Sequence, residues 1–143
     1  MLFLSLIFHA IILLHVNGQS CPKIPDHPCT PVENWDSFVD AMNFSGPNDL
    51  ILCRFNIQKP IGSSALVIAD SVTVLCLEPG HCIINTAPYG ERGILKIKGH
   101  AKATFYGFVF QASRTSIFNK FSAVHITFGT LMKQTFCRCT FRG

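Results

Sequence analysis

Three isoleucines constrain the fold more than anything else in this chain. Ile68, Ile97 and Ile126 stand 29 residues apart, each two residues after another large aliphatic residue (Leu66, Leu95 and Val124). Further strand-like runs follow each of these short phrases: residues 72–77 and 82–86, then 102–107 and 108–112, then 133–136 and 137–141. Cys53 and Cys76 mark a shorter interval of 23. A period of about 20–30 residues built from short strands is the mark of a solenoid. One turn cannot bury its own inward face, whereas stacked turns cover one another. A β-sandwich also spaces short strands at about 8–12 residues, and a disulfide-stabilised sandwich adhesion module is the competing architecture. Like residues at like positions favour the coil, and the eight phenylalanines from Phe105 to Phe141 could form a ladder of rings inside it.

Alternation assigns faces to these phrases. Ile51, Cys53, Phe55 and Ile57 fall on one side, with Leu52, Arg54 and Asn56 on the other. Val72, Val74 and Cys76 repeat the pattern, as do Leu95 and Ile97 with Lys96 and Lys98 outward. Phe105, Phe108 and Phe110 bracket a break at Gly107, and Cys137, Cys139 and Phe141 share a face with Arg138, Thr140 and Arg142 between them.

Upstream the grammar differs. Residues 19–33 carry four of the eight prolines and two cysteines, which predicts an irregular leader stapled by Cys21–Cys29. Trp35, Phe38, Val39 and Met42 then recur at helical spacing, with Asn34 placed to cap the helix. The expected organisation is a signal peptide over 1–18, a leader and capping helix over 19–45, and coils over 46–143. The last phrase ends at Gly143 without a cap, so the coil set reads as incomplete. Either a longer product continues it, or a partner covers the open C-terminal end, self-association included.

The signal peptide rests on Met1–Val16, which is apolar apart from Ser5, His9 and His15, followed by Asn17 and Gly18 at a workable cleavage site. It lacks the usual basic residue. No later apolar run approaches the ~18 residues of a membrane span, so the mature chain is expected to be secreted and extracellular. Asn43-Phe44-Ser45 fits the N-glycosylation pattern ahead of a Gly-Pro-Asn turn. All seven cysteines (Cys21, Cys29, Cys53, Cys76, Cys82, Cys137 and Cys139) follow the signal, and outside the cell they read as disulfides. Seven is odd, so one lacks a partner within the chain. Cys53 can lie over Cys76, or Cys76 and Cys82 can close a turn; Cys137 and Cys139 look to another coil or another chain.

The run from Asp49 to Ile57, the phrases Val72-Thr73-Val74-Leu75-Cys76 and Cys82-Ile83-Ile84, and the later Gly107-Phe108-Val109-Phe110 and Cys139-Thr140-Phe141-Arg142-Gly143 resemble the secreted proteins of the pectin-lyase-like superfamily. The likeness covers roughly residues 45–143. It implies a right-handed parallel β-helix with a small N-terminal capping helix. It also implies a chemistry, since lyases of that group use carboxylates to hold calcium and an Arg or Lys as base, and hydrolases use clustered aspartates.

The acids supply no such cluster. Of Asp26, Glu33, Asp36, Asp40, Asp49, Asp70, Glu78 and Glu91, only the last three lie in the coils, each in a different phrase. No catalytic residue, cofactor or metal site is therefore assigned. Cys76, His81 and Cys82 with Cys137 and Cys139 lack two matched zinc half-sites, and six scattered histidines support no Ser-His-Asp triad. Charge is the remaining signal. Residues 19–91 carry three Lys or Arg against eight acids, whereas residues 92–143 carry nine basic residues and no acid. Lys96, Lys98, His125, Arg138 and Arg142 are the candidate glycan contacts, suited to an acidic polysaccharide bearing uronate or sulfate. Nucleic acid is disfavoured by export and by the lack of a readout motif. The expectation is a secreted, non-catalytic β-helix module, structural or binding anionic glycans at the cell surface or in the matrix. The alternative is an N-terminal fragment of a polysaccharide lyase or glycoside hydrolase of the same fold.

Overall fold

A computed structural model describes residues 20–45, 49–86, 93–98, 101–111, 124–126 and 134–142. The proposed signal peptide lies outside the described residues. Among these residues one helix, α1 (Trp35–Asn43), precedes eleven short strands. They are β1 (Leu50–Leu52), β2 (Phe55–Lys59), β3 (Leu66–Ile68), β4 (Val72–Cys76), β5 (Cys82–Thr86), β6 (Leu95–Ile97), β7 (Ala103–Tyr106), β8 (Phe108–Gln111), β9 (Val124–Ile126), β10 (Thr135–Cys137) and β11 (Thr140–Arg142). Each strand pairs with the one three places further along, always in parallel. Three sheets result: β1-β4-β7-β10, β2-β5-β8-β11 and β3-β6-β9. The chain is a right-handed parallel β-helix with an N-terminal helix, as expected.

The isoleucine row is real. Ile68 pairs with Ile97 and Ile97 with Ile126, so the third sheet holds a constant 29-residue step. The other sheets do not. Leu50 pairs with Val74 and Val72 with Ala103, while Phe55 pairs with Cys82 and Cys82 with Phe108. Corners of different length between strands absorb the variation.

Those corners also correct the face assignment around Cys53. Leu50 and Leu52 enter the central core, and so do Phe55 and Ile57. Leu52 and Phe55 are three residues apart, an odd step that strict alternation forbids. The corner at Cys53-Arg54 resets the parity. The same three-residue step recurs from Phe105 to Phe108 and from Phe136 to Cys139, all four of which pack on the central core. Ile51 consequently points the other way, into an outer row with Leu75, Tyr106 and Cys137. Cys137 and Cys139 therefore do not share a face, contrary to expectation.

What buries that outer row is the leader. Ile24 and Cys29 pack against it. Thr30 bridges Leu52 as a parallel partner, its N–H donating to Ile51 O at 2.8 Å while Cys53 N–H donates to Thr30 O at 3.0 Å. Disulfides fix both ends, Cys29–Cys53 on the first coil and Cys21–Cys137 on the fourth. The expected Cys21–Cys29 staple is thus replaced by a strap running across every coil of the first sheet. Cys76–Cys82 closes a turn, one of the two alternatives foreseen, so Cys53 does not pair with Cys76. Cys139 is the free cysteine.

Helix α1 caps the first coil. Asn34 Oδ1 accepts from Ser37 N–H at 2.9 Å, and Ser37 Oγ accepts from Asn34 N–H at 3.0 Å, a reciprocal capping box. Its buried face places the Phe38 ring 6.0 Å from Phe55. From there aromatic contacts continue through Phe108 and Phe110 to Phe141. Cys82 sits between Phe55 and Phe108 in register, and its small side chain lets the two rings meet at 6.2 Å.

Candidate functional site

The five candidate glycan contacts divide between two places. Lys96 stands on β6, outward and half-buried, between the inward Leu95 and Ile97. Its register partners are Val67 on β3 and His125 on β9, one row across the third sheet. Lys98 follows β6, exposed, with its backbone N–H donating to Ile68 O at 2.9 Å. Neighbouring strands lie about 4.8 Å apart, so Lys96 and His125 occupy adjacent rungs. Two of the five candidates stand in this sheet, and Lys98 follows it directly.

Arg138 and Arg142 belong elsewhere. Arg138 forms the corner between β10 and β11 with φ of 51°, the left-handed region. The corresponding corner one coil earlier is Gly107, with φ of 77°. An arginine here costs about 1–2 kcal/mol more than a residue without a Cβ. Its guanidinium lies 5.9 Å from the Tyr106 ring centre, and Nη1 donates to Tyr106 Oη at 3.3 Å. Arg142, exposed on β11, extends a row that sequence reasoning missed: Gln58, Asn85, Gln111 and Arg142 stand in register across the second sheet. Asn85 Nδ2 also donates to Asn56 Oδ1 at 2.8 Å. The spacings along this row are unequal, which hides it from a search for a fixed period.

Two groups with shifted protonation sit outside these rows. Lys59 is the buried charged residue among those described, 2% exposed. It faces inward from β2 with Nζ 5.9 Å from the Trp35 ring centre and donating to Ser63 O. Burial lowers its pKa from the ordinary lysine value. Cys139 has its thiol pushed up by burial, against backbone hydrogen bonds from Phe108 and Gly107 that pull it down. Its Sγ contacts Phe105 O and Cys137 O at 3.4 Å each. A thiol held protonated in this way is a poor nucleophile.

Asp70 lies in the corner between β3 and β4 and Glu78 in the turn after β4. They flank a strand whose five residues span roughly 13 Å, more than the about 5–9.5 Å between paired glycosidase carboxyls. Glu91 lies outside the described residues. Among those described, no group of three or more His, Cys, Asp or Glu is placed to hold a metal ion, and no helix is long and apolar enough to cross a membrane.

Fold and surface together define a parallel β-helix strapped by a disulfide-bonded leader. No protein-family model, curated protein or solved structure matches the chain.

Proposed function

We propose that this is a secreted, glycosylated extracellular module related to the pectin-lyase-like β-helices, which serves a structural role and binds anionic glycans without catalysis of its own. One observation carries the reading. The register sets Lys96 beside His125 on adjacent rungs with Lys98 next to them, in a half of the chain that holds no acid from Arg92 to Gly143. A lysine and a histidine in register on adjacent rungs, with a second lysine beside them, suit a polymer bearing uronate or sulfate along its length. Three disulfides support an oxidising compartment.

Retention on immobilised sulfated and polyuronate chains, read as the salt needed for elution, tests the assignment. Exposed charge pairs are screened over about 8 Å at physiological ionic strength, so elution should move steeply with salt. Lys96→Gln with Lys98→Gln should elute at clearly lower salt than Arg138→Gln with Arg142→Gln. No retention, or elution unmoved by either pair, removes the reading.

A further inference from the structure

Each strand of the first coil has an edge on its N-terminal side that no earlier coil covers. The leader takes the edge of β1 through Thr30. Helix α1 packs over β2 through Phe38 and Phe55. The edge of β3 is different. It is the end strand of its sheet, and its hydrogen bonds run towards β6: Leu66 N–H donates to Ile94 O at 3.0 Å, and Ile68 O accepts from Lys98 N–H at 2.9 Å. Alternation along a parallel ladder turns the N–H and C=O of Val67 to the open side.

Free edges invite pairing with another chain, and proteins blunt them with charge, proline or a covering element. Leu66, Val67 and Ile68 offer neither charge nor proline. The open side is instead a cleft of about 490 Å³ between β3 and the last turn of α1, with Met42, Asn43 and Ser45 on one wall and residues 66–72 on the other. Val67 is exposed in it, and Asp70 and Ser71 add polar groups. Asn43 is itself exposed and begins the Asn43-Phe44-Ser45 triplet.

We propose that an N-linked glycan on Asn43 fills this cleft and covers the free edge of β3. The proposal rests on the secretion reading above. Asn43 Nδ2 would attack the anomeric carbon of an oligosaccharide carried on a polyprenyl pyrophosphate. The N–C bond forms as the C–O bond to pyrophosphate breaks, and the amide loses one proton to base while the lipid pyrophosphate departs. The attached sugar presents acetamido and hydroxyl groups that both donate and accept. Those are the partners that an unpaired N–H, an unpaired C=O and the Asp70 carboxylate take. The cleft falls within the ~300–1,000 Å³ of small-ligand sites, and its occupant is held there by a covalent bond.

The test uses the full chain secreted from a glycosylating eukaryotic host. Peptide N-glycosidase should shift its mass by one glycan, and Asn43→Gln should abolish that shift. The glycan is also removed from the folded protein, because Asn43→Gln can fail during secretion. Sedimentation should then show self-association at a protein concentration roughly tenfold lower than for the glycosylated form. Val67→Lys, which charges the edge, should restore the monomer in the sugar-free background. Retention of the chain inside the host cell overturns the secretion reading and this proposal together, whereas an unshifted mass on secreted chain overturns the proposal alone. A shifted mass with no change in association overturns the proposal alone, as does association that Val67→Lys leaves unaltered.

Discussion

Removing the leader's far clip should cost more stability than removing either of the other two disulfides. The three bridges close segments of very different length, with sequence separations of 116 for Cys21–Cys137, 24 for Cys29–Cys53 and 6 for Cys76–Cys82. If a disulfide acts chiefly by restricting the unfolded chain, those lengths translate to about 4.8, about 3.4 and about 2.2 kcal/mol. Pairwise replacement by alanine is the cleaner perturbation, because Cys76 and Cys82 are fully buried and a serine there would bring the cost of desolvating its hydroxyl. The packing lost at those two positions runs against the predicted order, which makes the comparison stringent. Losing the far clip also frees the leader to leave the outer row, where Ile51, Leu75 and Tyr106 are buried. Urea unfolding followed by circular dichroism measures the series. With a slope of about 2 kcal/mol per molar urea for a domain of this size, Cys21→Ala/Cys137→Ala should lower the midpoint by about 2.4 M. Cys76→Ala/Cys82→Ala should lower it by about 1 M on the same basis. A far-clip variant that loses less than the turn variant would refute the idea that the leader spans and clamps all the coils.

The other predictions concern single positions. Gly107→Ala places a Cβ 2.8 Å from Pro79 Cα at a φ of 77°, whereas Gly80→Ala at φ of 86° meets nothing within 4 Å. The first should lose about 3 kcal/mol or more and the second about 1 kcal/mol in urea unfolding, since the second bears backbone strain alone. Ile97→Ala empties a fully buried site between the register positions of Ile68 and Ile126, and should cost about 3 kcal/mol by the same measurement. Lys59 has a folded pKa below its unfolded one, so the unfolded chain binds its proton more tightly between those values. Stability should rise as pH climbs through the folded pKa towards the ordinary lysine value, and the deficit should persist in full below that window. Lys59→Met should abolish the rise, measured as the urea midpoint against pH in a Cys139→Ala background so that no thiolate reshuffles the bridges.

The coil was legible because stacking demands that like residues recur at like positions. The third sheet, with its constant step, displayed that demand openly in Ile68, Ile97 and Ile126. The capping helix was legible for a local reason, since Asn34, Ser37 and the apolar spacing act within one turn. Faces near corners were not legible. Whether Leu52 or Ile51 points inward depends on how the chain turns at Cys53-Arg54, and alternation says nothing about a corner. The cysteine pairing was hidden for a larger reason. Cys21 meets Cys137 only once the whole stack exists to bring coil four under the start of the leader. The glycan candidates fall on strands or beside them, with Lys98, Arg138 and Arg142 exposed and Lys96 half-buried. Sequence could not reveal that Arg138 and Arg142 lie away from the third sheet, because each coil's corners redistribute its residues among three faces.

A solenoid converts position in the chain into position along an axis, and this gives the uneven charge its physical meaning. In a globular fold, a basic second half would be mixed among acidic residues by long-range contacts. Here each coil adds one rung of about 4.8 Å, and the sequence changes sign between Glu91 and Arg92, between the strands of the second coil. Glu33, Asp36 and Asp40 lie in or beside the capping helix, and Asp49 and Asp70 flank the first coil's strands. Lys96, Lys98, Lys102, Arg138 and Arg142 belong to the second coil's last strand and beyond. The helix is therefore polarised end to end, and an anionic polymer approaching it is drawn to the far coils before it touches any side chain. The leader works in the same direction, because it returns Lys23, near Cys21, towards the fourth coil through the Cys21–Cys137 bridge. Opening that bridge should thus weaken the field at the basic end as well as the fold, and the proposed glycan binding would fall together with stability for one structural reason.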